Sequence, residues 1–290
     1  MAADGRWIAS RDDVWREMQV LGPGQDRERN LVWLELSYPV ALTPDGRTLL
    51  FTEESASAGS NYSTCIRQTD GSPVVRLGDG SASDISRDGQ WVLSNVPTEP
   101  AQQLVMYPTG AGQPIKLERG GIVSTESAVF FPDGRRILVC GHEAGHAVRC
   151  YVQDVSGGKP RPVTPEGTTL GIVSPDGREV VVNEAGGSLR IFPLDGGPSH
   201  SVPGTIADEG VVRWSADGKA LLVANFSSVP TVVEKLDPTT GRREPYATLG
   251  PSDLKGALQI SSIALSDDGR SRAYGVRRLA SHLFLMSGAQ

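Results

Sequence analysis

Short apolar runs separated by polar turn residues dominate the chain. Many of them flank an Asp-Gly dipeptide: VALTPDG precedes RTLLF, AVFFPDG precedes RRILV, LGIVSPDG precedes REVVV, and VVRWSADG precedes KALLV. Asp-Gly between two such runs is typical of a β-hairpin, because glycine adopts the positive φ of a tight turn and aspartate hydrogen-bonds its own backbone. Helical periodicity is nearly absent, so the pattern predicts an all-β protein.

The Asp-Gly turns recur with a nearly constant period of 41 to 51 residues. Seven sequences of the form Asp-Gly-(Arg/Lys/Gln) begin at Asp4, Asp45, Asp88, Asp133, Asp176, Asp217 and Asp268. A second, weaker turn follows each pair of runs, as at Thr69-Asp70-Gly71 and Asp195-Gly196-Gly197, and a further short strand comes after it. Each unit therefore contains four short strands, which is typical of a β-propeller blade.

The two ends of the chain leave the number of blades open. The first Asp-Gly leaves no room for an innermost strand before Asp4, and the last unit has three strands before Gln290. We expect seven blades, of which the first and last are incomplete. The alternative is six blades, in which a strand such as Asn30–Glu35 completes the last one and residues 5–22 form an extra hairpin. Residues 1–290 are expected to form one propeller domain, and a fragment of a longer protein fits the same pattern.

The repeats resemble those of a known family. TPDGRTLLF, FPDGRRILV, SPDGREVVV and SADGKALLV resemble the TolB-type, WD-like propeller repeat of bacteria along the whole chain. YVQDVSGGKPRPVTPEG and the ending AYGVRRLASHLFLMSGAQ are similar to the C-terminal propeller attached to bacterial eukaryotic-like serine/threonine kinases and related regulators. This resemblance implies a sensing or docking role. It does not imply kinase activity, since the chain contains no Gly-rich phosphate loop, H-R-D or D-F-G motif.

Charge and composition narrow the function classes. The net charge of −6 argues against a nucleic-acid surface. No apolar run approaches the roughly 18 residues of a membrane span, and MAADGRWIASRDD lacks the pattern of a secretory signal. Three cysteines do not make a disulfide framework. The compartment is therefore weakly constrained, with the cytoplasm as the default.

The segment CGHEAGHAVRC, residues 140–150, contains a literal H-E-x-x-H match. On a helix this motif places two histidines on one face for zinc, with a glutamate as general base. Here the flanking runs predict a hairpin, and strand side chains alternate with period two, so the histidines do not share a helical face. Glu166 lies among proline and glycine and supplies no third helical ligand. We therefore expect a polar loop with a chance match.

A zinc site at the same hairpin is the alternative. If the hairpin is symmetric about Gly145, Cys140 faces Cys150, and both share a face with His142, while His146 lies at the tip. Sulfur and imidazole ligands suit zinc. Two buried cysteines packed as small apolar side chains explain the pattern equally well. A Cys140–Cys150 disulfide would require an oxidising compartment.

The axial channel is the other candidate site. The expected ligand-binding residues near the start of the inner strands, or further along them, are Tyr38, Asp84, Glu126, Asp208, Glu209 and Arg213. Asp84 and Arg213 occupy equivalent positions where the other units carry Ala41, Val129, Ile172 and Ala264, which predicts a salt bridge or a ligand contact. The acids also suggest calcium, as in six-bladed lactonases, although calcium needs six to eight oxygen ligands.

No convergent catalytic set emerges from the sequence. There is no G-x-S-x-G elbow, and only four histidines are present. We therefore expect a non-catalytic module that binds a protein partner or a small ligand. The alternative is a metal-dependent hydrolase of a lactone, ester or phosphotriester, with zinc or calcium. If the first blade is incomplete, Trp15 and Trp33 are exposed, and the apolar edge would favour a homodimer or another partner.

Overall fold

The computed structural model describes residues 6–184 and 186–287. Within these ranges the protein is built of β-strands and one short 3-10 turn, Ala56–Ala58. The first twelve strands are β1 Arg6–Leu21, β2 Arg29–Asn30, β3 Ser37–Leu42, β4 Thr48–Glu53, β5 Ser63–Gln68, β6 Val75–Asp79, β7 Ser81–Ile85, β8 Trp91–Val96, β9 Gln103–Pro108, β10 Ile115–Lys116, β11 Ile122–Phe130 and β12 Arg136–Glu143. The next twelve are β13 Arg149–Asp154, β14 Arg161–Pro162, β15 Thr168–Val173, β16 Glu179–Glu184, β17 Leu189–Pro193, β18 His200–Ser201, β19 Glu209–Trp214, β20 Leu221–Asn225, β21 Thr231–Leu236, β22 Arg243–Leu249, β23 Ala257–Leu265 and β24 Arg272–Ser287.

The strands form six four-stranded antiparallel sheets. Sheets 1 to 5 each consist of four consecutive strands, from β3–β6 to β19–β22, and sheet 6 has the order β2-β1-β24-β23. The innermost strands, β3, β7, β11, β15, β19 and β23, each lie beside those of the two neighbouring sheets and close a ring around a channel. The prediction of a β-propeller is confirmed.

Sheet 6 joins the two ends of the chain. β1 pairs with β24 along sixteen residues, from Arg6 opposite Ser287 to Leu21 opposite Arg272, and β2 adds the outer strand. The described residues thus contain six four-stranded sheets, the number in the alternative arrangement, while Asp4 and Gly5 of the first turn lie outside them. Residues 6–21 form one long strand rather than an extra hairpin, because pairing with β24 buries Met18 and Val20 in the core.

The Asp-Gly turns adopt one conformation. The six described glycines have φ between 67° and 72°, so each requires the left-handed region that glycine enters without strain. In the turn after β15, the Ser174 hydroxyl donates to Asp176 Oδ1 at 2.6 Å, and the Arg178 amide donates to the same oxygen at 3.1 Å. The predicted hydrogen bonding of the turn aspartates is therefore confirmed.

The core lies between neighbouring sheets. One cluster joins Leu93 and Met106 of sheet 2 to Ile137 and Tyr151 of sheet 3, and similar clusters fill the other interfaces. A sheet buries both faces only between two neighbours, so the ring stabilises each sheet. Among the described residues, no helix has the length and apolar character to cross a membrane.

Candidate functional site

A cavity of about 260 Å³ lies in the channel near the Asp-Gly turns. All six innermost strands contribute to its wall, and apolar side chains such as Val40, Ile172 and Val212 make up much of it. Four charged residues also line it: Asp84, Arg87, Arg213 and Asp267. A concave, mostly apolar site with a few convergent polar groups is typical of a small-ligand site.

Local backbone irregularity directs Asp84 and Arg213 toward the channel region. In sheet 2 the register between β7 and β8 shifts between Ala82 and Asp84, and in sheet 5 it shifts between Val211 and Arg213. A β-bulge re-aims the side chains that follow it. The two polar residues therefore stand directly after equivalent bulges, in sheets on opposite sides of the ring.

Arg213 is held in place by the backbone. Its Nη1 donates to the Leu265 carbonyl at 2.7 Å, and its Nε donates to the Trp214 carbonyl at 3.1 Å. Its Nη2 forms an ion pair with Asp267 at 2.5 Å. Three interactions thus fix one guanidinium at the channel wall.

Asp267 also binds Arg87 from sheet 2. Arg87 Nη2 lies 2.6 Å from Asp267 Oδ2, whereas Arg213 binds the other oxygen. Burial opposes ionisation of Asp267, but its hydrogen bond and charge interaction with Arg213, together with Arg87, outweigh this effect and lower its pKa. Side chains from sheets 2, 5 and 6 therefore meet in one charged group at this end of the channel.

Asp84 binds backbone amides rather than an arginine. Its Oδ2 accepts from the Phe130 amide and its Oδ1 from the Ile85 amide, both at 2.8 Å. Burial raises the pKa of Asp84 to about 7, although the two amides and the charge of Arg213 act in the opposite direction. The ion pairs of the described residues do not join Asp84 to Arg213, so the predicted salt bridge has Asp267 as its acid instead.

The other predicted channel residues lie at the opposite ends of the inner strands and do not line this cavity. The Tyr38 hydroxyl donates to the Ser261 carbonyl at 2.5 Å. Glu126 is exposed beside a register shift in β11, and Asp208 is exposed in the loop before β19 with a φ of 66°. Glu209 pairs with Arg243 at 2.6 Å. The structure therefore does not bring these residues together with Asp84 and Arg213.

The HEAGH segment forms the end of a strand and a tight turn, not a helix. His142 and Glu143 end β12, and residues 144–146 turn back toward β13. Cys140 lies opposite Cys150, as the symmetric hairpin predicts, and the two are joined in a disulfide. His146 Nδ1 contacts Glu166 Oε1 at 2.8 Å on the surface.

The disulfide argues against the zinc site predicted at Cys140, His142, His146 and Cys150. A thiolate is the form of cysteine that binds zinc, and bonded sulfurs are not thiolates. The described residues contain no group of three or more His, Cys, Asp or Glu side chains arranged to hold a metal ion. In this form the hairpin is a cross-linked structural element whose disulfide packs against Gly171 of the next sheet.

Sheet 6 extends beyond its neighbours as a two-stranded ribbon, residues 6–13 and 280–287, which we call the terminal ribbon. β2 pairs with β1 only at Gln19 and Val20, and β23 pairs with β24 only up to Arg278, so the described residues give the ribbon no third strand. Five of its large apolar side chains are 48% to 75% exposed: Trp7, Ile8, Leu283, Phe284 and Leu285.

A groove of about 520 Å³ lies at the base of the terminal ribbon. Trp15 lines it and is 38% exposed, and Trp33 elsewhere is 36% exposed. Sheet 6 has four strands, so this exposure does not come from an incomplete blade. Arg278 Nε contacts Glu17 Oε1 at 2.8 Å, and the other Arg278 nitrogens donate to the Asp253 and Lys255 carbonyls. The ion pair of Arg278 with Glu17 is thus held in place by backbone carbonyls.

Sequence reasoning missed Arg87 and Asp267. Both directly precede the aspartate of an Asp-Gly turn, at the position that holds Pro44, Pro132 and Pro175 in three other units. Opposite charges at a position that holds proline in three other units were the available signal. Polar residues are common in turns, so the two charges do not stand out from the sequence alone.

The sequence matches no family model and no curated protein. A putative TolB from Agrobacterium tumefaciens is similar in structure, with a TM-score of 0.68 and 18% identity over 91% of this chain and 99% of that one. An oligogalacturonate lyase from Vibrio parahaemolyticus has a TM-score of 0.55 and 15% identity, over 89% and 77% of the two chains. A periplasmic gluconolactonase from Pseudomonas aeruginosa has a TM-score of 0.51 and 19% identity, over 89% and 87%. At these identities the likeness establishes the fold alone, and this chain has the fold of a TolB-type β-propeller.

Proposed function

We propose that the chain is a non-catalytic binding module that holds a small polar ligand in its channel. The observation that carries this proposal is the cavity of about 260 Å³ with Arg213 fixed at its wall. A guanidinium held by two backbone carbonyls loses little freedom on binding, and such preorganisation favours affinity. The apolar side chains around it suit the non-polar part of a ligand.

The architecture supports recognition in the channel. Every sheet contributes its innermost strand to the cavity, so a bound molecule would contact the whole ring. Contacts to several sheets at once would couple occupancy to the stability of the propeller, because a ligand that binds only the folded state stabilises it. A sensing module requires this kind of coupling.

The test is a thermal-shift screen of small polar metabolites with two matched variants. Ala41→Phe introduces a ring at the cavity wall, whereas Ala111→Phe places the same ring on an exposed turn. We expect at least one compound to raise the melting temperature of the wild type and of Ala111→Phe but not of Ala41→Phe. The channel-binding function is wrong if no stabilising compound distinguishes the two variants.

A second function, protein docking, is favoured by the terminal ribbon. Its exposed apolar side chains and unpaired strand edges are features that proteins normally cover. We propose that a second copy of the chain covers them, giving a homodimer through sheet 6. Sedimentation velocity should show a dimer for the wild type and a monomer for the double variant Ile8→Ser, Leu285→Ser. A wild type that stays monomeric at about 100 μM, well above the micromolar range of many specific complexes, would contradict this proposal.

The metal-dependent hydrolase remains the alternative function. Its support is that an oligogalacturonate lyase and a gluconolactonase share the fold, and a fold hosts both binding and catalysis. Elemental analysis of tag-free protein after dialysis distinguishes the two. Stoichiometric zinc or calcium would favour the hydrolase, and lactone, ester and phosphotriester substrates would then be assayed. The binding function predicts less than stoichiometric metal.

A further inference from the structure

Two arginines share one carboxylate across the channel. Arg213 binds Asp267 Oδ1 and Arg87 binds Asp267 Oδ2, at 2.5 and 2.6 Å. The three side chains come from different sheets of the ring, and all three line the same cavity. A carboxylate between two guanidinium groups is also how proteins recognise the carboxylate of a ligand.

The arginines differ in how they are held. Arg213 keeps two hydrogen bonds to backbone carbonyls that do not involve Asp267, so removing the acid leaves its guanidinium in place. The Arg87 side chain is 50% exposed, and its ion pair in the described residues is with Asp267. A partly exposed ion pair of this kind contributes little net stability, so breaking the contact between Arg87 and Asp267 costs little.

We propose that this group is an anion site whose internal occupant is Asp267, and that its ligand is a small organic acid whose carboxylate replaces Asp267 between Arg87 and Arg213. This inference rests on the proposed binding function and adds the chemical class of the ligand. A cavity of about 260 Å³ lies just below the usual range of small-molecule sites, so a small acid suits it better than a large one.

The surrounding groups favour an anion over a cation. Asp84 is the other acid in the cavity, and both of its oxygens already accept backbone amides. Asp267 is likewise bound on both oxygens by the arginines. Each oxygen of the two carboxylates therefore already has a donor, whereas displacement of Asp267 presents two guanidinium groups to an incoming acid.

The test compares two substitutions that remove one negative charge each. Asp267→Asn removes the internal carboxylate, and Asp70→Asn removes an exposed turn carboxylate of sheet 1. Titration calorimetry at constant ionic strength would use acetate and succinate as probes, with succinamide as the uncharged control. We expect Asp267→Asn to bind one of the acids about tenfold more tightly than the wild type, Asp70→Asn to match the wild type, and succinamide not to bind.

The inference is overturned if Asp267→Asn binds neither acid more tightly than Asp70→Asn does. Circular dichroism and the melting temperature establish that both variants are folded. The inference would also be overturned by a neutral or cationic compound whose binding is weakened by Ala41→Phe but unchanged by Asp267→Asn. That result would leave the channel-binding function intact. The two proposals therefore fail through different measurements.

Discussion

The carboxylate of Asp84 accepts a hydrogen bond from the backbone amide of Phe130 in the neighbouring sheet, at 2.8 Å. Arg213, at the equivalent position in sheet 5, donates to the carbonyl of Leu265 in sheet 6 at 2.7 Å. The innermost strand of a sheet has an unpaired edge toward the channel, and buried backbone groups require partners. One acid and one base thus tie two pairs of sheets together by satisfying opposite kinds of backbone group.

Asp84 gives a pH dependence with a definite sign. Burial raises its pKa in the folded protein to about 7, whereas the unfolded value is about 3.9. The folded state therefore binds the extra proton between these values, and stability falls as the pH rises through this window. Urea unfolding of the wild type and of Asp84→Asn should be measured at about pH 5 and pH 8. The free energy of unfolding of the wild type should fall from the lower to the higher pH, relative to that of the variant. A difference that is independent of pH would contradict this.

Closure of the ring by β1 is tested by two positions on one face of that strand. Met18 is fully buried and packs with Leu42 and Leu49 of sheet 1, whereas Val14 is 47% exposed. Met18→Ala should lower the free energy of unfolding by about 2–5 kcal/mol. Val14→Ala should change it by less than about 0.5 kcal/mol. Equal effects in chemical denaturation would show that β1 does not complete the core.

The Asp-Gly turns are tested by two glycines that differ in backbone conformation. Gly134 has a φ of 67°, and Gly110 lies outside the positive-φ region; a Cβ at either position would contact nothing. Gly134→Ala should destabilise the protein by about 1–2 kcal/mol through strain alone. Gly110→Ala should stabilise it by up to about 1 kcal/mol, because it restricts the unfolded chain. Melting temperatures that move in the same direction would argue against this turn geometry.

The disulfide predicts a thiol count. Cys65 is buried and free, and burial raises the pKa of its thiol to about 12. The folded protein should therefore have no thiol that reacts with a thiol reagent. Unfolded protein should show one reactive thiol without reductant and three with it. The double variant Cys140→Ala, Cys150→Ala should lose about 2–4 kcal/mol of stability.

Three reactive thiols in the unfolded protein without reductant would contradict the disulfide and return Cys140 and Cys150 to the set of candidate metal ligands. Because disulfides persist in oxidising compartments, one thiol would argue against the cytoplasmic default.

Most of the repeating architecture was predictable because it depends on local signals. Each Asp-Gly turn predicts its own hairpin, and the period of the turns predicts the four-stranded blade. The pairing of β1 with β24 was not, since Arg6 and Ser287 are at opposite ends of the sequence and no turn connects them. The alternation of apolar and polar residues in a strand is the same whichever strand pairs with it. It therefore does not identify a partner that is distant in sequence.

The candidate site was partly predictable for a related reason. Asp84 and Arg213 stood out because the aligned positions in the other units are apolar. Their hydrogen-bond partners could not be identified from the sequence, because these partners are backbone groups of Phe130 and Leu265 in the next sheet. Geometry between sheets, rather than residue type, decides which charges meet in the channel.

The register of the terminal ribbon has a mechanical consequence. Arg6 and Ser287 face each other at one end of a sixteen-residue antiparallel pair, whose hydrogen bonds run perpendicular to the strands. A force that pulls these two residues apart therefore loads one hydrogen-bonded pair at a time, like the opening of a zipper, instead of shearing all sixteen together. The ring should therefore open at lower tension when held by these two residues than it would if β1 and β24 were pulled along their length.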